Sequence, residues 1–130
     1  MPVIHPPYSN KPLSPRLSVY RWQSPMLASI AHRASGVILA LFVPVYLFLL
    51  TGLTSSPMDF SRTVDFMHSL PGKSVLWLTG TAMIYHLLNG LRFLLLDAGW
   101  IDGREAMRRS ALVGLGLGLL GSLLLAVFLW

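Results

Sequence analysis

The sequence predicts an all-α integral membrane protein: three transmembrane helices preceded by a cytoplasmic N-terminal arm. Three observations carry that prediction. Of the 130 residues, 54% are hydrophobic and 12% are charged, against about a quarter charged in soluble domains. Three stretches reach the roughly 20 apolar residues that cross a bilayer. The basic residues gather in alternate connections, as they do in membrane proteins. A 14.4 kDa chain cannot bury this much apolar surface in its own core, so lipid is its natural solvent.

The first element is the arm, residues 1–25. MPVIHPPYSNKPLSPRLSVYRW is proline-dotted and has no early apolar core, so it reads as neither a signal peptide nor a transit peptide. The expected source is a bacterial inner membrane, with a processed mitochondrial protein the weaker reading. The first helix is expected over about 26–53, with ASGVILALFVPVYLFLLTGL as its apolar core and a bend at Pro44. TSSPMDFSRTVDFMHSLPGKS follows, with room for a short surface helix between Pro57 and Pro71. The second span is expected over about 74–97 and is interrupted by His86, Asn89 and Arg92. DAGWIDGREAMRRS is a tight charged connection, and the third span is expected over about 108–130. Its Gly114, Gly118 and Gly121 lie near one face, a close-packing signature to which no chemistry is assigned. The whole reads as a single membrane-anchor domain without internal repeats.

Orientation follows from charge. Lys11, Arg16, Arg21 and Arg33 precede the first span, and Arg104, Arg108 and Arg109 lie in the second connection. The first connection holds only Arg62 and Lys73. This predicts that the N-terminus and second connection are cytoplasmic. The net charge of +5 is thereby explained without nucleic acid. The absence of cysteine excludes disulfides, cysteine–zinc sites and iron–sulfur clusters held by this chain's own thiolates.

His86 is the first functional candidate. An ionisable group near mid-membrane is costly and has a partner. It is either a neutral imidazole hydrogen-bonded to a neighbouring helix or an axial ligand to haem iron. Gly90, four residues on, leaves room for a flat macrocycle on the same face, and Gly80 and Ala82 keep the preceding turn slim. Of the other histidines, His5 lies in the arm, His68 in the outer loop and His32 at the cytoplasmic mouth, none of them at the expected depth. Met83 shares a face with His86 and cannot reach across a ring. A haem on His86 therefore requires a second subunit to donate the opposite ligand. Arg92, about 9 Å of helical rise from His86, either snorkels to the interface or pairs with Asp97, a haem propionate or a partner carboxylate.

SIAHRASG supplies the second candidate. Ser29, His32 and Arg33 share a helix face, and Gly36 continues it. Arg33 is either a snorkelling anchor or, with Ser29, half of a donor pair for a carbonyl oxygen such as a quinone's. A cation there stabilises developing negative charge.

Two segments together carry a resemblance. PLSPRLSVYRWQSPMLASIAHRASG resembles the N-terminal signature of the large membrane-anchor subunit (cytochrome b556) of succinate dehydrogenase, RPLSPHLxIYxxxxxxxxSIxHRxTG. YHLLNGLRFLLLDAG resembles that family's second signature, HxxxGxRHLxxD. The resemblance implies a helical anchor for a flavoprotein and an iron–sulfur subunit, with a second anchor chain beside it. It implies that Ser29 and Arg33 help bind ubiquinone, that His86 is an axial ligand of haem b shared with the second anchor, and that His32 lies near the haem propionates. Arg92 is a further candidate there. Two positions depart from the pattern: Phe93 stands where the family usually has histidine, and Arg16 replaces the histidine of SPHL.

The function expected is therefore the cytochrome b anchor of a succinate:quinone oxidoreductase. It would contribute to quinone reduction and hold no succinate-oxidising residue. The alternatives are an anchor of fumarate reductase or another quinol-linked b-type cytochrome, and a cofactor-free membrane assembly protein. A transporter has little support, because three spans without an inverted repeat give it no alternating-access scaffold.

Overall fold

The structure, a computed structural model, describes residues 22–130. The arm expected over 1–25 falls almost wholly outside them. Four helices make up the regular structure of the described residues: α1 (Ser24–Ser55), α2 (Pro57–His68), α3 (Leu70–Asp97) and α4 (Arg104–Leu129).

The long helices outrun the expected spans at their polar ends. α1 begins at Ser24 with proline in its first turn, where the missing N–H costs nothing, and runs unbroken past Pro44 to Ser55. α3 begins at Leu70, capped by Ser69, whose Oγ accepts from the N–H of Gly72 at 3.3 Å. α4 begins at Arg104, where Glu105 pairs with Arg109 at 2.9 Å and Arg108 at 3.8 Å along one exposed face. Apolar content marks the segment that suits lipid, whereas capping and charge pairing decide where the helix stops.

α2 fills the expected place of the surface helix. Ser56 caps it by accepting from the N–H of Asp59 at 3.1 Å. It folds back on α1, where Gly52 meets Thr63, and onto the start of α3, where Gly72 abuts the carbonyl of Phe66.

α1, α3 and α4 form a bundle. α3 runs antiparallel to α1, as the pairings of Gly36 with His86 and Gly90 with His32 require. It also runs antiparallel to α4, with Asn89 beside Gly114, Tyr85 beside Gly118 and Ile84 beside Gly121. The predicted small-residue face of α4 therefore receives the large side chains of α3. Hydrogen bonds join the same surfaces: Trp77 Nε1 donates to the Ser122 carbonyl at 3.1 Å, and Thr81 Oγ1 donates to Ser122 Oγ at 3.0 Å.

The interior is small and polar, and the exterior is apolar. Ala28, Thr79, Asn89 and Ala111 are almost fully buried, while Leu41, Phe48, Val127 and Phe128 are 70–85% exposed. That inversion suits a bundle bathed in hydrocarbon. α1 and α4 are each long and apolar enough to cross a membrane.

Candidate functional site

The first-motif residues of α1 and the second-motif residues of α3 meet where those helices cross. The rings of His32 and His86 stack, with centroids 4.1 Å apart and planes 11° apart. His86 Nδ1 lies 3.2 Å from the carbonyl oxygen of His32 and 3.1 Å from Ser35 Oγ. Ser35 Oγ donates to that same carbonyl at 2.7 Å. A carbonyl oxygen can only accept, so the proton in the His86 contact sits on Nδ1. In the neutral ring, the free lone pair is then on Nε2.

One expectation is corrected here. The position of His32 at the start of the first span predicts that it lies off the level of His86, yet the two rings are in contact. α1 starts at Ser24, so His32 is eight residues inside it, about 12 Å along the axis. The antiparallel course of α3 brings His86 to the same level. The space beside Gly90 is likewise not open. A Cβ there would stand 3.6 Å from His32 Nε2. The tighter glycine is Gly36, whose Cβ would come within 3.0 Å of His86 Cε1. Gly36 admits the imidazole across the helix crossing.

His32 Nε2 is buried without a hydrogen-bond partner among the described residues. Phe93 closes one side of His32, edge-on at 5.2 Å and 68°. It offers no polar atom where the family signature has histidine.

Ser29 and Arg33 are brought together as expected. Arg33 Nη2 donates to Ser29 Oγ at 3.1 Å. Arg33 is exposed and Ser29 half-buried. The pair therefore lies at the bundle surface, within one turn of His32, and among the described residues Arg33 makes no other side-chain hydrogen bond.

Arg92 is turned elsewhere. It is only 6% exposed. Its Nε donates to Ser110 Oγ at 3.0 Å and its Nη2 to the Met107 carbonyl at 3.1 Å, both on α4. It neither snorkels nor pairs with Asp97, since both ion pairs among the described residues belong to Glu105. Phe93 lies between it and the histidine pair, its ring 5.2 Å from the guanidinium carbon. The nearest oxygens are those of α4, which spacing along α3 alone does not reveal.

Two residues at this crossing escaped sequence reasoning. Tyr85 ties α3 to α1 by donating to the Ala28 carbonyl at 3.1 Å. Ser35 bridges His32 and His86. Its signal was available: it follows His32 by three residues, the spacing at which a helical serine bonds back to the preceding turn.

The profile of the succinate dehydrogenase/fumarate reductase transmembrane subunit family matches residues 8–127. The chain belongs to this family. It is 36% identical over 125 residues to the mouse mitochondrial succinate dehydrogenase cytochrome b560 subunit, covering 86% of this chain and 72% of the relative. It is 34% identical over 120 residues to the cytochrome b556 subunit of Paracoccus denitrificans, covering 92% of each chain. Against the Coxiella burnetii b556 subunit, identity is 27% over 123 residues, covering 94% of this chain and 98% of the relative. The resemblance drawn from the two motifs thus extends over most of the chain in this family.

A b-type haem implied by this membership fits the residues present. No group of three or more His, Asp or Glu that could hold a metal occurs among the described residues. His86 is the candidate for a single haem ligand. Its Nδ1 is occupied by α1 oxygens, its Nε2 carries the lone pair, and Gly36 leaves its ring room.

Proposed function

We propose that the chain is the large membrane-anchor, cytochrome b subunit of a succinate:quinone oxidoreductase, with α3 as a third span between α1 and α4. The observation that carries this reading is the arrangement at the α1–α3 crossing: the Ser29–Arg33 donor pair lies within one turn of His32, whose carbonyl holds the His86 ring through Nδ1. α3 is 28 residues long, about 42 Å of helix, and its Trp77, Thr81, Tyr85 and Arg92 bond to neighbouring helices. The basic residues at the Ser24 and Arg104 ends orient these ends to the cytoplasm of a bacterium, at its inner membrane.

His86 would hold haem b through Nε2, sharing it with a second anchor subunit. The haem, when bound, supplies a one-electron redox centre within the membrane layer. Succinate is oxidised in the flavoprotein subunit, and electrons leave through the iron–sulfur subunit. Quinone reduction takes up two electrons and two protons, the protons coming from cytoplasmic water. Arg33 and Ser29 hold a quinone oxygen and stabilise the negative charge that reduction places on it. The buried, unpartnered Nε2 of His32 faces the same crossing and is available to a haem propionate. Arg92 serves the α3–α4 contact.

The test is a pair of variants in the complex co-expressed with its partner subunits. R33L is expected to lose quinone reduction by about a hundredfold or more, in the order of magnitude of a missing oxyanion donor, while succinate oxidation by a soluble dye acceptor persists. Equal loss of both activities refutes the quinone role. H86L is expected to abolish the b-haem absorbance, and an unchanged spectrum refutes the ligand.

A further inference from the structure

We propose that Ser35 is a positioning residue for the haem ligand: its hydroxyl fixes the tautomer and raises the basicity of His86, and so lowers the reduction potential of haem b. The proposal rests on the reading of His86 as an axial ligand.

Counting protons fixes the arrangement of the hydrogen bonds. Three polar atoms form a closed triangle: Ser35 Oγ to the His32 carbonyl at 2.7 Å, Ser35 Oγ to His86 Nδ1 at 3.1 Å, and His86 Nδ1 to the His32 carbonyl at 3.2 Å. The carbonyl brings no proton. Ser35 brings one, and a neutral imidazole brings one. If Ser35 donated to Nδ1, the Nδ1 and carbonyl lone pairs would face each other with no proton between them. The consistent arrangement has Ser35 donating to the carbonyl, and His86 Nδ1–H shared between the carbonyl and Ser35 Oγ. Ser35 is only 5% exposed, so water does not compete for these bonds.

A helical serine that bonds back to its own turn is ordinary. This one is unusual because the same oxygen reaches an imidazole on another helix, across the gap that Gly36 leaves. Two acceptors on Nδ1–H push electron density toward Nε2. A more basic ligand favours the ferric ion over the ferrous ion, which lowers the potential.

The experiment is an optical redox titration of the b-haem in the complex assembled with its partner subunits, comparing wild type with S35A, S35T and H86L. S35A is expected to retain haem and shift the midpoint upward. At the potential where wild type is half reduced, its reduced-to-oxidised ratio should rise by up to about tenfold, ~59 mV for one electron. S35T keeps a hydroxyl that can bond back along the helix, and it is expected to restore the wild-type midpoint. If S35A does not assemble, S35C replaces the hydroxyl at nearly the same volume and carries the same prediction. An unchanged or lowered midpoint in S35A (or in S35C in its place), or a shift in S35T equal to that in S35A, overturns the role of Ser35 alone. Haem retained unchanged in H86L overturns the ligand assignment, and the role of Ser35 falls with it.

Discussion

α3 presents two faces, and glycine works oppositely on them. Toward α1, Gly36 makes room for the His86 imidazole, and the polar atoms beside it are only partly used. Toward α4, Gly114, Gly118 and Gly121 are filled by Asn89, Tyr85 and Ile84. Both interfaces bury polar groups among small residues, so composition alone does not separate them. Each side also keeps buried polar atoms without a partner among the described residues, His32 Nε2 toward α1 and Asn89 Oδ1 and Arg92 Nη1 toward α4, so what separates them is exposure. The α1 side leaves an accessible donor pair and a His86 lone pair. The α4 side uses Arg92, Thr81, Ser110 and Ser122 to join helices. On the proposed reading one face receives a ligand, and the other holds the bundle.

The largest expected effect falls on the α4 face. In G118A the added Cβ collides with the Tyr85 ring. Overpacking of this kind costs about 1–3 kcal/mol, and Tyr85 also tethers α3 to α1 through Ala28. Thermal stability of the detergent-solubilised complex should fall. The b-haem absorbance maximum of the surviving fraction should not move. A moved maximum with unchanged stability would reverse the assignment of the two faces.

R92M is expected to act next in size and on the same face. It removes two hydrogen bonds to α4 but also relieves a buried guanidinium whose Nη1 has no partner among the described residues. Breaking hydrogen bonds and removing a desolvated charge oppose each other, leaving a net loss of about 1 kcal/mol. The haem midpoint should stay at the wild-type value. A midpoint shift with stability retained would return Arg92 to the haem propionates.

G36A tests the other face. Its Cβ at 3.0 Å from His86 Cε1 obliges the ring to tilt by a few tenths of an ångström. The expected result is a changed haem spectrum with stability within about 0.5 kcal/mol of wild type, the range of substitutions that meet no serious obstruction. A loss of stability without a spectral change would make Gly36 another packing glycine.

These contrasts also mark what the sequence could and could not reveal. The apolar runs, the surface helix between Pro57 and Pro71, the small face of α4 and the adjacency of Ser29 to Arg33 all follow from spacing within one helix. The level of His32 and the destination of Arg92 depend on which helix lies opposite and how far it is shifted. Spacing inside α1 or α3 carries no information on that shift. Ser35 lies between the two cases, because its bond back to His32 is local and its reach to His86 is not.

On the α3–α4 face the smallest effect is expected for T81V. Thr81 Oγ1 donates to Ser122 Oγ at 3.0 Å across the α3–α4 face, and valine keeps the shape while losing the hydroxyl. Interhelical hydrogen bonds in a bilayer average about 0.6 kcal/mol, because in the unfolded chain the same hydroxyl bonds back to its own helix. The expected change in thermal midpoint is therefore slight, and haem content and quinone reduction should equal wild type. A loss above about 2 kcal/mol would mean that this face is held by its polar bonds rather than by the fit of side chains into glycine gaps. In that case T81V should rival G118A in effect, a ranking that one denaturation series measures directly.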